Sequence, residues 1–244
     1  MSDMPIKRVI VKETVPSRIL PGGGRTLRIF LPPGYNEVIS YPVVYAQDGE
    51  DMFNFGRIAT QAARLIVEGE LEPIIIAGVD VDKSVRTREY APDGDLHDGY
   101  VRFFAEEMVP FVESRFPVRR EPGDILLAGD SLGGAASFHI AERYPERFRN
   151  VLALSGAFYP ASLDRIRTSG ADLSQLSMYM TIGLQETAFE TDRGTFDFVA
   201  LNREAKALLV ERGAKLTYVE RDGEHLWGYW QQDLPDALRW FAGE

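Results

Sequence analysis

The sequence predicts an α/β fold in which helices cover both faces of a mostly parallel sheet. Short apolar runs typical of buried strands alternate along the chain with amphipathic segments typical of helices. Apolar residues make up 45% of the 244 residues and charged residues 26%, without repeats or biased tracts. This composition supports a packed core rather than disorder, and the length suits a single domain over residues 1–244.

The two strands at the amino-terminal end are expected to be antiparallel. They are Lys7–Glu13 and Arg25–Leu31, which flank a glycine-rich turn at Pro21–Gly24 where a positive φ costs little. Apolar runs that predict the remaining strands are Pro42–Ala46, Pro73–Val81, Asp124–Ala128, Val151–Leu154, Ser177–Ile182 and Lys215–Val219. Helical periodicity is found in Arg57–Glu70, Asp98–Phe116, the segment that ends at Tyr144, Phe198–Arg212 and Trp227–Phe241.

Charge and residue usage exclude several classes of function. Lysine and arginine total 27 against 37 acidic residues, and the resulting net charge of −10 repels nucleic acid. Because the chain has no cysteine, it has no disulfide, no thiolate nucleophile and no thiolate zinc site. The residues up to Glu13 mix charged and apolar side chains, so neither a signal peptide nor a membrane span is predicted there. We therefore expect a cytoplasmic protein without a nucleic-acid or membrane partner.

A candidate nucleophile follows the predicted strand Asp124–Ala128. The segment Gly129–Gly133 has the pattern Gly-x-Ser-x-Gly, with Ser131 at its centre and a predicted helix after it. The flanking glycines allow a tight strand-to-helix turn, and the start of the helix directs the Leu132 amide at the reacting centre. This context predicts an α/β-hydrolase fold with Ser131 as nucleophile. The alternative is a serine that only caps the helix.

A serine nucleophile needs a base within hydrogen-bond reach, and the sequence offers 3 histidines. His139 lies about 12 Å from Ser131 along the same predicted helix, too far to accept its proton, so we expect a packing or surface residue. His97 precedes the nucleophile in a polar loop, and we expect it to be exposed or to line the pocket. His225 follows the last predicted strand at the carboxyl end of the sheet and is the predicted base.

The acid that orients the histidine is expected in the loop after the strand Ser177–Ile182. Glu186 is the first acidic residue beyond that strand and is favoured for this reason. Glu190, Asp192 and Asp197 lie in the polar stretch that follows and are the alternatives.

Several segments besides the serine motif occur in the order typical of one known family. They are Leu31–Tyr35, Tyr41–Glu50, Arg86–Tyr90, Tyr144–Phe148, Gly183–Glu186 and Gly223–Trp227. Together they resemble the enterochelin esterase-like family, the Putative esterase group of α/β-hydrolases that also includes feruloyl esterases. The resemblance covers nearly the whole chain and implies a hydrolase that needs no metal or organic cofactor.

The same resemblance implies roles for individual residues. The backbone amide of Glu50 is expected to be the second oxyanion donor beside that of Leu132, and the match at Glu186 supports it as the acid. Arg86 is expected near the substrate pocket, where it would suit an anionic or phenolic substrate. An ordinary surface ion pair between Arg86 and Glu89 is the alternative.

The leading hypothesis is hydrolysis of a small-molecule carboxylic ester by Ser131, His225 and Glu186. A siderophore trilactone, a hydroxycinnamate ester and a short acyl ester are all candidate substrates. Candidates for an apolar wall of the pocket, or alternatively for the core, are Trp227, Trp230, Phe53, Phe55 and Phe158. Acyl transfer on the same residues and a non-catalytic binding protein with the same fold are the alternative functions. The sequence does not indicate an oligomeric state.

Overall fold

A computed structural model describes residues 8–243 and arranges eight of their strands in one sheet. The strands, in chain order, are β1 (Val9–Pro16), β2 (Gly24–Leu31), β3 (Val43–Ala46), β4 (Ile75–Val79), β5 (Ile125–Asp130), β6 (Asn150–Leu154), β7 (Ser177–Gly183), β8 (Phe189–Thr191), β9 (Gly194–Phe196) and β10 (Lys215–Arg221). The order across the sheet is β1-β2-β4-β3-β5-β6-β7-β10, and β8 and β9 form a separate hairpin.

The sheet confirms the predicted fold class. β1 pairs with β2 and β2 with β4 in antiparallel fashion, whereas every pair from β4 to β10 is parallel. The turn between β1 and β2 holds Gly22 and Gly23 at φ values of 92° and 79°, which a glycine adopts without strain. The first strand ends three residues later than predicted, at Pro16, and the predicted start at Lys7 lies outside the described residues.

Helices connect the parallel strands. They are α1 (Gly49–Asn54), α2 (Ile58–Glu68), α3 (Arg86–Tyr90), α4 (His97–Arg102), α5 (Val109–Arg115), α6 (Leu132–Arg143), α7 (Pro160–Thr168), α8 (Phe198–Glu211) and α9 (Trp227–Gly243). A π-helical segment at Phe103–Met108 joins α4 to α5, so the helix predicted over Asp98–Phe116 is present with a wider turn just before Pro110. Within residues 8–243 no helix has both the length and the apolar character needed to span a bilayer.

Two apolar layers lie on opposite faces of the sheet. Along β3, Val43 and Tyr45 pack into one layer, while Val44 and Ala46 pack into the other, as the two-residue period of a strand requires. The first layer contains side chains of α4, α5, α6, α7 and α8, and the second contains those of α1, α2 and α9. Burial on both faces explains why the central strands are continuous apolar runs.

The turn from β5 into α6 depends on the absence of side chains. A Cβ at Gly129 would clash with the carbonyl group of Gly133, which is backbone and cannot move aside. A Cβ at Gly133 would lie 2.8 Å from a carboxylate oxygen of Asp48. These contacts bring the start of α6 against the end of β5 and against the turn that precedes α1.

His97, at the start of α4, and His139, within α6, are buried side by side. This position corrects the expectation that His97 is an exposed or pocket-lining residue. His97 is 2% exposed at the start of α4, and its ring lies 5.5 Å from that of His139, which is fully buried. Nε2 of His139 lies 3.0 Å from the hydroxyl of Ser162, and Nδ1 of His97 lies 3.1 Å from the Glu89 carbonyl oxygen. Burial lowers the pKa of both histidines, so both are neutral members of the core.

Gly129, at the turn from β5 into α6, provides a test of the fold. Replacing Gly129 with alanine is expected to lower the free energy of unfolding by about 1–3 kcal/mol, because the new methyl group overlaps backbone. Urea denaturation followed by circular dichroism measures the change. Gly123→Ala is the matched control, since a Cβ at Gly123 meets no atom within 4 Å. Equal stability of the two variants would contradict the close approach.

The buried histidine pair predicts a loss of stability in mild acid. The folded chain keeps His97 and His139 neutral below the pH at which an unfolded histidine, with a pKa of about 6.5, takes up its proton. The unfolded state then binds more protons, so the free energy of unfolding falls as pH decreases from 7 to 5, by up to about 1.4 kcal/mol per pH unit for each histidine. Urea titrations at several pH values should show a shallower slope for His139→Gln than for the wild type. An unchanged slope would show that His139 titrates normally.

Candidate active site

Ser131 occupies the tight turn between β5 and α6. Its backbone has φ 50° and ψ −124°, a conformation that a residue with a side chain rarely adopts. The amide of Ser131 donates to the carbonyl of Leu154 at 2.8 Å, and its own carbonyl accepts from the amide of Ala157 at the same distance. These bonds join the turn to the end of the neighbouring strand β6 and hold the serine at the carboxyl edge of the sheet.

The loop after β10 brings His225 to the serine. Its Nε2 lies 2.9 Å from the Ser131 hydroxyl oxygen, although the two residues are far apart in sequence. The imidazole is 8% exposed and is surrounded by three aromatic rings. Phe198 stacks on it at 4.9 Å between ring centroids, Phe189 lies at 4.3 Å, and Trp230 meets it edge-on at 4.8 Å. The ring therefore has a fixed orientation.

Glu186 is the acidic residue that the structure brings to this histidine. Its Oε2 lies 2.6 Å from Nδ1 of His225, and the side chain is almost fully buried. The other oxygen, Oε1, accepts hydrogen bonds from the Gly183 amide at 2.8 Å and from the Ser155 hydroxyl at 2.7 Å. A Cβ at Gly183 would lie 2.7 Å from Oε1, so this glycine makes room for the carboxylate.

The alternative acids make other contacts. Glu190 is exposed in β8. Asp192 accepts from the hydroxyl of Thr87 at 2.7 Å, and Asp197 caps α8 by accepting from the Ala200 amide at 2.8 Å. Glu190 and Asp192 are both exposed, the first in β8 and the second in the turn between β8 and β9.

Ser155 beside Glu186, and the polar contact that Trp230 makes with it, were not predicted from the sequence. Ser155 is fully buried at φ 47°, directly after β6, and it donates to Glu186. The indole Nε1–H of Trp230 donates to the Ser155 hydroxyl oxygen at 2.8 Å. A hydroxyl group has a single proton, so with Trp230 directed at its oxygen, Ser155 turns that proton towards the carboxylate. The available signal was a polar residue at the carboxyl end of a buried apolar strand.

The amides of Glu50 and Leu132 belong to the first turns of α1 and α6, where backbone N–H groups have no partner within the helix. The turn before α1 places Asp48 in the left-handed region, at φ 49° and ψ 49°, and Asp48 lies against the start of α6. The carboxylate of Glu50 accepts from Arg28 at 2.8 Å, so the side chain points to a partner of its own.

Arg86 lines the same pocket as Ser131, and its ion pair is not the one that the alternative interpretation of the sequence gave. Its Nε and Nη2 each donate to one carboxylate oxygen of Asp48 at 2.7 Å, and Asp48 is buried. Glu89 instead pairs with Arg25 and is fully buried. The alternative interpretation, a surface ion pair between Arg86 and Glu89, is therefore wrong, although both residues lie on α3.

A pocket of about 360 Å³ opens beside Ser131 and His225. Its other lining residues are Asp48, Asp51, Lys83, Arg86, Asp130, Leu226, Trp227 and Trp230. Of the aromatic candidates, Trp227 and Trp230 line this pocket, whereas Phe158 is a core residue packed on Phe138. Phe53 is nearly buried and Phe55 is 55% exposed, and neither lines the pocket. The aromatic wall thus consists of the two tryptophans.

Comparison with known proteins extends over almost the whole chain. The profile of the family described as "Putative esterase" matches residues 17–241. YjcH of Bacillus subtilis (strain 168), an uncharacterized protein, is 37% identical over 216 residues, which cover 88% of this chain and 90% of that protein.

Two solved structures share the fold at 20% sequence identity each. A ferulic acid esterase aligns with a TM-score of 0.82 over 97% of this chain and 99% of its own. The enterobactin esterase of Shigella flexneri aligns with a TM-score of 0.78 over 98% of this chain and 60% of its own.

The family match includes every residue that lines the pocket, from Asp48 to Trp230. The similarity to the two solved structures supports the same α/β-hydrolase architecture. The chain therefore belongs to the Putative esterase family, as its resemblance to enterochelin esterases indicated, and it is an ester hydrolase.

Proposed function

We propose that this esterase cleaves carboxylic esters with Ser131 as nucleophile, His225 as general base and Glu186 as the acid that orients the imidazole. The observation that carries the proposal is a continuous chain of hydrogen bonds. It runs from the Ser131 hydroxyl to Nε2 of His225 at 2.9 Å and from Nδ1 to Glu186 at 2.6 Å. A nucleophile, a base and an orienting acid in this order are the parts that serine acyl transfer requires.

In the proposed reaction the Ser131 oxygen attacks the ester carbonyl carbon while Nε2 of His225 takes the hydroxyl proton. The carbonyl oxygen becomes an oxyanion, which the amides of Glu50 and Leu132 stabilise by hydrogen bonds. The C–O bond to the alcohol then breaks, and the alcohol leaves with the proton from His225. Water attacks the acyl-serine with the same base, and the carboxylic acid is released with Ser131 restored.

Glu186 acts on the histidine rather than on the substrate. By accepting from Nδ1–H, it leaves Nε2 unprotonated and directed at the serine. The hydrogen bonds from Gly183 and Ser155 fix the second carboxylate oxygen. The carboxylate stabilises the imidazolium that forms during the attack.

The pocket favours a small ester. Its volume of about 360 Å³ lies near the lower end of the range for ligand pockets, and two tryptophans form one wall. We propose a substrate with a short acyl chain or with a single aromatic acyl group of the hydroxycinnamate type. The similarity in fold to a ferulic acid esterase is compatible with the aromatic group. A siderophore trilactone would have to extend out of the pocket.

The nucleophile and the base are tested by single substitutions. Ser131→Ala and His225→Ala are each expected to lower kcat for p-nitrophenyl butyrate by about 10⁴-fold or more, because each removes an essential partner of the proton transfer. Ser114→Ala is the matched control, since that exposed serine contacts only its own helix. Activity of folded Ser131→Ala close to that of the wild type would refute the assignment. Assays with an added alcohol separate hydrolysis from acyl transfer.

The acid and its supporting serine should differ in the size of their effects. Glu186→Gln is expected to lower kcat by about 10³–10⁴-fold, because the amide no longer stabilises the imidazolium. Ser155→Ala is expected to lower kcat about tenfold and leave KM nearly unchanged, since it removes one hydrogen bond to the acid and lies outside the pocket. Steady-state kinetics of both variants measure this split. A Ser155→Ala enzyme with altered KM alone would contradict the positioning role.

A further inference from the structure

The pocket beside Ser131 has one charged wall in which the charges do not balance. Asp48 is paired with Arg86 through two hydrogen bonds, and Asp51 is paired with Lys83 at 3.0 Å. Asp130, which directly precedes Ser131, also lines the pocket. Among residues 8–243 no cation forms an ion pair with Asp130, so its carboxyl group is the uncompensated one.

The carboxyl group of Asp130 is buried, and one of its two oxygens lacks a partner among the described residues. The residue is only 6% exposed, and no group in the described part of the chain forms a hydrogen bond to its Oδ1. Burial and the nearby carboxylate of Asp48 raise the pKa of Asp130 to about 7, against the opposing effect of the Arg86 charge. A buried carboxylate without an ion-pair partner is destabilising, and a positive charge in the pocket that Asp130 lines would compensate it.

Two aromatic side chains of the same pocket suit a cation as well. Trp227 and Trp230 line the pocket, with ring centroids 5.1 Å apart and ring planes nearly perpendicular. The face of an indole ring attracts an ammonium group through the ring quadrupole. A carboxylate and aromatic rings that line one pocket are groups that can together recognise an alkylammonium ion.

We propose that this pocket selects esters that carry a positively charged ammonium group beside the scissile bond, with Asp130 as the specificity-determining carboxylate. The inference rests on the proposed esterase function and adds the charge of the substrate. It replaces the expectation that Arg86 binds an anionic substrate, because Asp48 already occupies two of the guanidinium nitrogens. The net charge of −10 of the whole chain also favours the approach of a cation.

The charge on Asp130 depends on pH, so the selectivity should depend on it too. The charged or titratable groups that line the pocket with Asp130 are Asp48, Asp51, Lys83, Arg86 and His225. The ratio of kcat/KM for two esters of equal shape but different charge removes every pH effect that acts on both esters equally, including that of the catalytic base. The ratio then reports the charge that faces the ammonium group.

Two matched pairs of esters test the proposal. Butyrylcholine and 3,3-dimethylbutyl butyrate differ by a positive charge on the alcohol side. The p-nitrophenyl esters of 4-(trimethylammonio)butanoic acid and 5,5-dimethylhexanoic acid differ in the same way on the acyl side. For at least one pair we expect kcat/KM of the cationic ester to exceed that of its neutral partner about tenfold at pH 8. This preference should decline towards pH 6, with an inflection near pH 7.

Substitution assigns the inflection to one residue. In Asp130→Asn the ratio should be small and independent of pH, whereas Asp51→Asn, the matched control from the same wall, should keep the inflection near pH 7. A wild-type ratio that does not change with pH for either pair would overturn the proposal, and this measurement does not depend on whether a variant folds. An inflection that persists in Asp130→Asn would overturn it as well.

A binding measurement separates this inference from the proposed reaction. Calorimetry with Ser131→Ala requires no catalysis and compares choline with its neutral analogue 3,3-dimethylbutan-1-ol. Tighter binding of choline at pH 8 than at pH 6 would support the cation site even if no ester were cleaved. If the neutral esters are cleaved but choline binds no better than its analogue at pH 8, the esterase function stands and the cation site is refuted.

Discussion

The backbone of Ser131 is the constraint on which the site depends. A non-glycine residue at φ 50° costs on the order of 1–3 kcal/mol, and such a conformation persists only where the surroundings enforce it. Here the enforcement comes from the bare backbones of Gly129 and Gly133 in close approach and from hydrogen bonds to Leu154 and Ala157. The enforced backbone conformation keeps the hydroxyl outside the helix, at the edge of the sheet.

The four polar residues of the site each come directly or shortly after one of four neighbouring strands of the sheet. Ser131 follows β5, Ser155 follows β6, Glu186 follows β7 and His225 follows β10, and these strands are adjacent in the sheet. Because parallel strands end at the same edge of the sheet, the residues that follow them lie close together there. Each strand therefore places one member of the hydrogen-bonded network at this edge. Ser155 also has a positive φ, of 47°, so two strained serines follow adjacent strands. The hydrogen bond from the Ser131 amide to the last residue of β6 joins the two turns.

The central strands and the tight turn at Ser131 were predictable because their physical signals are local. A strand buried on both faces must be apolar at every position, and the turn at Ser131 needs its glycines. The strand predicted at Asp124–Ala128 is observed at Ile125–Asp130. The short helices α1, α3 and α7 were missed, because five to nine residues hold too few turns to show a period. The prediction of one domain over residues 1–244 stays a prediction.

The remaining details depend on contacts between distant segments, which no local pattern encodes. Arg86 and Glu89 are neighbours on α3, yet their partners are Asp48 and Arg25. Which of the four acids lies beside His225 depends on how the chain beyond β7 folds, and the β8–β9 hairpin leaves Glu190 and Asp192 exposed. These pairings are decided by packing across the carboxyl edge of the sheet.

Two buried carboxyl groups on this edge show how the same chemical group acquires different roles. Glu186 is surrounded by donors: the imidazole, the Gly183 amide and the Ser155 hydroxyl together occupy both of its oxygens. Asp130 is nearly as deeply buried, but its Oδ1 has no donor within the described chain, and its strongest charged neighbour is another carboxylate. A carboxylate with all its donors inside the protein is stabilised in one geometry and suits an orienting role. A carboxylate that lacks them gains most from a positive charge that arrives with the substrate, so its environment makes it selective rather than structural.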